Sequence, residues 1–460
     1  MHYFGGEMRS SGRRCVPRCL LFVCLCQVAL TVMAGVSMKA VAHGFHEPQP
    51  DQNAVINNKT LQFWEQRYQQ RPDNVITLSH LAKFFLDRAR QTQRHDDYRQ
   101  SETYFTEWLA IAPKSIGGRT GLAYALVGQH RFAEALEHAR TVVRLSPGES
   151  SAMALIGDIH LSLGNLQEAE MAYEFLANRD GGNDALVRLA SLYEARGDYQ
   201  RAFSLTKSAC DDQSSVGSAG YRNWCLTRLG EISLLLGSSA EAERYFSQAV
   251  AQSEVSTVAS WRLGVLQARC GKMQSARQLL QELASRDPRP RHWIALGDAH
   301  RQIAELSEAE ALYKKAEQRM ESDVERGDIG HIRELAEFWL SDRLGQNRLE
   351  RHLKALTLAE RDLQEVRQDA GAYLTLAWAH YRLGQYEKAG QAVSRALSDG
   401  SRDPEWLLRG AMIFHAGGDR GLAQKLYGQV DQDTAAVPQE LLTAARQLFL
   451  SDGAHRASTF

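Results

Sequence analysis

The sequence predicts an all-α solenoid of about ten helical hairpins, closed by a capping helix at each end. Three observations predict it. A small residue recurs in the first helix of each hairpin at Ala82, Ala123, Gly157, Ala190, Gly230, Gly264, Gly297, Ala336, Ala377 and Gly410. A second small residue recurs in the following helix at Ser101, Ala135, Ala169, Ala202, Ala242, Ala276, Ala309, Ala355, Ala389 and Ala423, in steps of 34, 34, 33, 40, 34, 33, 46, 34 and 34 residues. Short side chains at fixed intervals are what two helices need where their backbones approach closely. Finally, apolar helical patterns flank the array at both ends, as a stack of hairpins requires to hide its terminal faces.

The elements follow in order. Residues 1–42 carry an export signal: Arg9, Arg13, Arg14 and Arg18 precede a largely apolar run from Cys19 to Val36, and Ala40-Val41-Ala42 forms a small-x-small cleavage site before His43. An uncleaved anchor is the other reading, although the run is interrupted by Gln27 and sits at the lower limit for spanning a bilayer. Residues 43–58 form a polar segment expected to be flexible. Residues 59–74 read as the N-terminal cap, with Trp64 facing the stack and Pro72 ending it.

The array covers 75–432. Its grammar is visible in "LASLYEARGDYQRAFSLTKSA", where Leu186, Leu189 and Tyr193 have helical spacing, Gly197-Asp198 breaks the helix, and Phe203 and Leu205 open the second. Four residues after the second anchor stands a large or apolar side chain in most units: Phe105, Tyr173, Phe246, Leu280, Tyr313, Val393 and Tyr427. Extra residues around Arg88–His95, Leu344–Leu353 and "DDQSSVG" predict lengthened turns or helices there. Residues 437–453 read as the closing helix, begun by Pro438 and ended near Gly453.

Composition excludes several functions. The chain has 54 basic and 55 acidic residues, and removal of 1–42 leaves 49 against 54, a net charge of −5. That balance offers no electrostatic footprint for nucleic acid or anionic membranes. No phosphate loop, nucleophile elbow, His-Glu-x-x-His or Cys-x-x-Cys is present, so neither catalysis, nor a cofactor, nor a metal site in the array is expected. His160, His300 and His380 share one repeat slot and read as core residues, while "RHDD" (94–97) reads as a solvated charge run in a long turn. A mature chain starting at His43 would place a free amine beside His43 and His46, a copper-chelating arrangement, and a periplasmic metal-handling role is the alternative function. Cys210 and Cys225 flank the long fourth connection. They read either as a disulfide, in keeping with an oxidising compartment, or as two buried thiols. Cys270 reads as a core filler.

The 34-residue helix–turn–helix period with this small/large pattern resembles the tetratricopeptide repeat family from about Val75 to Asp431. The resemblance implies a right-handed superhelix whose first helices line a concave face and bind a protein or peptide. Carried onto this chain, concave positions include Tyr124, Asp158, Glu194, Glu231, Trp261, Arg269, Asp298, Arg301, Arg333, Glu337, Trp378, Tyr381 and Arg382. The family's Lys/Asn/Lys clamp for a terminal carboxylate is not expected, because its slots hold Ser79, Lys83, Thr120 and Tyr124. Tyr124, Trp261, Arg269, Arg301, Trp378, Tyr381 and Arg382 combine a concave slot with a side chain typical of binding hot spots, so they are the candidate partner-binding residues. For Trp261 and Trp378, packing between repeats is the other reading. The expectation is a non-catalytic scaffold, periplasmic or secreted, with a protein or peptide partner in the cell envelope and no membrane insertion after signal cleavage.

Overall fold

The structure, a computed structural model, describes residues 52–457 apart from 93–94, 180–181, 212–218, 253–256, 328, 342, 399 and 431–434. The expected export signal of residues 1–42, and residues 43–51 with His43 and His46, therefore lie outside the described residues. Among the described residues there are twenty-two α-helices and no strand. A leading helix α1 (Gln52–Gln70) precedes ten hairpins: α2 (Val75–Thr92) with α3 (His95–Ile111), α4 (Ile116–Gly128) with α5 (Phe132–Leu145), and α6 (Ser150–Ser162) with α7 (Leu166–Arg179). Then come α8 (Asn183–Ala195) with α9 (Tyr199–Asp211), α10 (Ala219–Leu235) with α11 (Ser239–Gln252), and α12 (Thr257–Arg269) with α13 (Met273–Arg286). The last four are α14 (Pro290–Gln302) with α15 (Leu306–Glu325), α16 (Ile332–Leu340) with α17 (Arg348–Arg361), α18 (Ala370–Arg382) with α19 (Tyr386–Ala396), and α20 (Pro404–Ala416) with α21 (Arg420–Tyr427). Helix α22 (Gln439–Ala457) closes the stack.

The recurring small residues sit where the two helices of a hairpin touch. A Cβ on Gly157 would lie 2.4 Å from the Tyr173 ring, one on Gly230 2.6 Å from Phe246, one on Gly264 2.7 Å from Leu280, and one on Gly297 2.6 Å from Tyr313. The large residue four after the second anchor thus fills the space left by the small first anchor. Where the first anchor is Ala, the partner slot holds a smaller side chain in four of five units: Ala139 with Ala123, Thr206 with Ala190, Ala359 with Ala336 and Val393 with Ala377. In the first unit, with Ala82, the slot holds Phe105, whose ring lies where a Cβ on Gly121 of the next unit would be (2.1 Å). In the eight units that pair this way a larger partner goes with Gly and a smaller one with Ala, as a close-packed interior demands.

The irregular units resolve into specific changes. The first has two long helices, with α2 reaching Thr92 and α3 opening at His95. The "RHDD" segment differs from its expected solvated state at Asp97, which is buried and accepts hydrogen bonds from Arg88 Nε (3.1 Å) and Nη2 (2.6 Å). In the eighth unit α16 ends at Leu340 and α17 begins at Arg348, and α15 before them is lengthened to twenty residues. Cys210 and Cys225 are joined in a disulfide, tying the end of α9 to α10. Cys270 is exposed rather than a core filler, because it ends the helix at the turn.

The shared histidine slot has a defined task. His160, His300 and His380 each meet the side chain five residues on, through Nδ1 to Asn165 Nδ2 (3.3 Å), Glu305 Oε2 (2.5 Å) and Gln385 Oε1 (2.7 Å), and so pin the end of a first helix to its turn.

At the ends, Trp64 stacks on His80 at 4.0 Å, and Phe449 of α22 stacks on Tyr427 at 4.3 Å. The superhelix also brings distant units together. A Cβ on Gly197 (φ +73°) would lie 2.8 Å from Arg402 N, and one on Gly164 would lie 3.1 Å from Asp369 Cα. Ile332 and Val366 share one buried apolar cluster with Phe105, Leu122 and Leu155. The lead-in to α22 folds back over the first helices, where Ala435 packs with Phe246, Leu263 and Leu266.

Candidate partner-binding cavity

First helices pack side by side on the inner face, so their polar side chains meet their neighbours before they meet solvent. Arg188 donates to Asp158 (3.1 and 3.2 Å), which also accepts from Tyr173 Oη at 3.0 Å. Arg228 bridges Glu194 and Glu231, and Arg262 donates to Glu231 at 2.6 Å. Further along, Arg343 donates to Asp298 (2.7 Å twice), and Arg409 to Glu337 (3.0 and 2.9 Å). The acidic positions expected to face a partner (Asp158, Glu194, Glu231, Asp298 and Glu337) are therefore committed to a ladder of ion pairs within the inner wall. Burial raises the Glu194 carboxyl to about 7 against the pull of Arg228. Burial also disfavours charge on Glu231, but Arg262 and Arg228 outweigh it and hold that group below the usual carboxylate range.

Between the fifth and tenth units the inner face opens into a cavity of about 400 Å³. Its walls are the first helices α10, α12, α14, α16, α18 and α20, with Met320 and the turn Ala435–Pro438. Trp261, Trp378 and Trp406 face it, together with seven arginines: Arg262, Arg269, Arg291, Arg333, Arg343, Arg367 and Arg409. The Trp261 ring lies 4.4 Å from the Arg262 guanidinium and 5.5 Å from that of Arg291. Arg269 Nη1 donates to the carbonyls of Ala435 and Ala436, both at 3.0 Å. Burial lowers the Arg269 and Arg291 guanidinium groups to about 10, and the neighbouring Arg262 adds to the effect at both.

Of the candidate residues, Trp261, Arg269 and Trp378 come together in this cavity. Tyr381 stands behind Trp378, stacked on it at 4.7 Å. Tyr124 is buried elsewhere, with the Arg90 guanidinium 4.8 Å from its ring. Arg301 is paired with Glu440 of α22, and Arg382 is not part of the lining. Arg291, Arg367, Arg409 and Trp406 were not singled out from sequence. The pairing of an acid in one unit with an arginine about thirty residues on, as in Asp158–Arg188 and Glu231–Arg262, marks the inner-wall ladder from sequence, but it does not reach these four. Arg367 pairs with Asp362 five residues back, Arg409 with Glu337 seventy-two residues back, and among the described residues Arg291 and Trp406 have no acid partner of this kind.

Among the described residues no group of three or more His, Cys, Asp or Glu could hold a metal ion, and no helix is long and apolar enough to cross a membrane.

The chain is similar to known proteins in its repeats. A model described as tetratricopeptide repeat matches residues 120–177, 228–289, 271–323 and 341–419, and a second of the same description matches 185–208. The Hsp70-Hsp90 organizing protein of Triticum aestivum is 29% identical over 89 residues, 19% of this chain; the chain spans only 15% of that relative's length. Among solved structures, yeast Tom70 shares 13% identity over 88% of this chain and 94% of its own, with a TM-score of 0.39. Pseudomonas aeruginosa pilF shares 15% over 44% of this chain and 90% of its own, with a TM-score of 0.37. The tetratricopeptide architecture is characteristic of non-catalytic adaptor and scaffold proteins. With the first model alone matching just over half of its residues, this chain belongs to the tetratricopeptide repeat family and is a protein–protein interaction module of that type.

Proposed function

We propose that the protein is a non-catalytic scaffold, exported from the cytoplasm, that binds a peptide or protein segment of the cell envelope on its concave face. The observation that carries this reading is the cavity: six consecutive first helices converge three tryptophans and an arginine set on one half-open space. Binding energy concentrates on such side chains where they are sheltered by surrounding packing. Export is supported by the basic, apolar and small-x-small order of residues 1–42, and by a Cys210–Cys225 bridge that an oxidising compartment maintains.

Affinity capture from the envelope fraction, with mature protein as bait, tests the reading. Trp261→Ala is expected to weaken capture by about 1 kcal/mol or more, roughly fivefold, with unchanged helicity. Equal capture by wild type and variant would contradict binding at this face. Amino-terminal sequencing of the natural product should begin at His43; a soluble cytoplasmic species retaining its first residues would contradict export.

A further inference from the structure

A guanidinium removed from water is normally paired with an acid, because an unpaired buried charge is costly. Five of the seven cavity arginines obey this. Arg262 has Glu231, Arg333 has Asp362 and Asp369, Arg343 has Asp298, Arg367 has Asp362, and Arg409 has Glu337 and Glu405. Arg269 and Arg291 do not. Among the described residues neither has a carboxylate within 4.0 Å; Arg269 holds two backbone carbonyls, and Arg291 has only the Trp261 face and the edge of His292.

The acids that act electrostatically on this pair, Asp403 and Asp298 on Arg269 and Glu334 and Asp287 on Arg291, each have another partner, although Oδ2 of Asp287 is buried with no hydrogen-bond partner. Asp403 caps α20 by accepting from the backbone N–H of Glu405 (2.9 Å) and Trp406 (3.3 Å), and Asp298 holds Arg343. Glu334 meets His331 at 3.0 Å, and Asp287 meets Arg289 at 2.8 Å. A second observation points the same way. Arg333, 9% exposed, lines the same cavity, and its Nη1 is buried with no hydrogen-bond partner. Donors without acceptors, on a wall rich in tryptophan, describe a site complementary to a carboxylate beside an apolar group.

Resting on the concave-face reading above, we infer that the cavity receives an Asp or Glu side chain of the bound peptide, with Arg269 and Arg291 as its cationic partners and Trp261 as the adjoining apolar wall. The volume suits one or a few side chains and is too small for a nucleic-acid strand. The site lies in the fifth to tenth units, away from the clamp slots at Ser79, Lys83, Thr120 and Tyr124, and it uses a different residue set.

A random peptide library displayed on phage, panned on immobilised mature protein, provides the test; display through the peptide's carboxyl end leaves only side-chain carboxylates to select. Peptides recovered on wild type, and lost on Trp261→Ala, should be enriched in Asp or Glu next to an apolar residue. A synthetic copy of the best peptide with Asp→Asn and Glu→Gln should bind wild type at least about tenfold more weakly, and Arg269→Gln with Arg291→Gln should cost a similar factor, partly restored by the two Lys variants. The amide comparison uses unaltered protein, so a variant that failed to fold would not spoil it. Recovery of peptides without acidic enrichment, or equal binding of the amide copy, would overturn the acid assignment and leave the concave-face reading standing. Recovery of no peptide would overturn both.

Discussion

Gly297 shows how a single position specifies this fold. Its missing Cβ makes room for the Tyr313 ring, which is buried and held by a 2.7 Å hydrogen bond from its hydroxyl to Asp298. Because that hydroxyl is tied, the ring has little freedom to move aside. Gly297→Ala is therefore expected to destabilise the chain by about 1–3 kcal/mol in denaturant melts; an unchanged midpoint would contradict the packing account. Glu194 supplies a pH-dependent counterpart. It is 5% exposed, and Oε1 has no hydrogen-bond partner, so burial raises its folded-state pKa to about 7. An acid whose pKa is raised on folding contributes stability that is complete below its unfolded value, near 4.3, and is lost as pH climbs through the folded one. Stability should thus fall from this group between about pH 4.3 and 7, and Glu194→Gln should flatten that slope. A parallel slope in the variant would contradict the assignment. Both anchors and large partners were legible as residues in the sequence; their mutual compensation in volume was not, because spacing alone does not say which pairs touch.

Helix identity was legible wherever the apolar period was strong, and boundaries were lost where it was weak. Helix α1 begins at Gln52, not Lys59, since "QNAVINNKT" has no apolar stripe and is weighted by three Asn, β-branched Val55 and Ile56, and Thr60, which announce a helix poorly. The spacing puts extra residues at Leu344–Leu353, whereas the structure divides the excess of the 46-residue step between a longer α15 and the connection from Leu340 to Arg348. The bridge from α9 to α10 is the clearest test at this scale. Cys210 and Cys225 are fifteen residues apart, so the bond restrains the unfolded chain across the connection between the fourth and fifth units. Cys210→Ser, or reduction of the wild type, should lower stability by ~3 kcal/mol under oxidising conditions. Full alkylation of both thiols in untreated protein would contradict the bridge.

For the whole molecule, tandem spacing was sufficient to foresee the solenoid, and the resemblance to the tetratricopeptide repeat family implied that first helices face inward. It was not sufficient to foresee which inward positions remain open. That depends on contacts far apart in sequence: Gly197 against Arg402, Arg269 against the Ala435 and Ala436 carbonyls, Arg301 against Glu440. The last two fold the closing segment over the inner face beside the cavity of the fifth to tenth units. Tyr124, equally placed by repeat register, ends up buried in the second unit for the same reason: its inner face is covered by packing, not left to solvent. The central claim, that a partner is held in the remaining cavity, is tested most directly by hydrogen exchange of the mature protein with and without its captured partner. Exchange should slow along Trp261–Arg269 of α12 and Gly371–Trp378 of α18. Unchanged exchange there, with slowing instead around exposed Met171 and Phe175 on α7 or in residues 43–52, would contradict it.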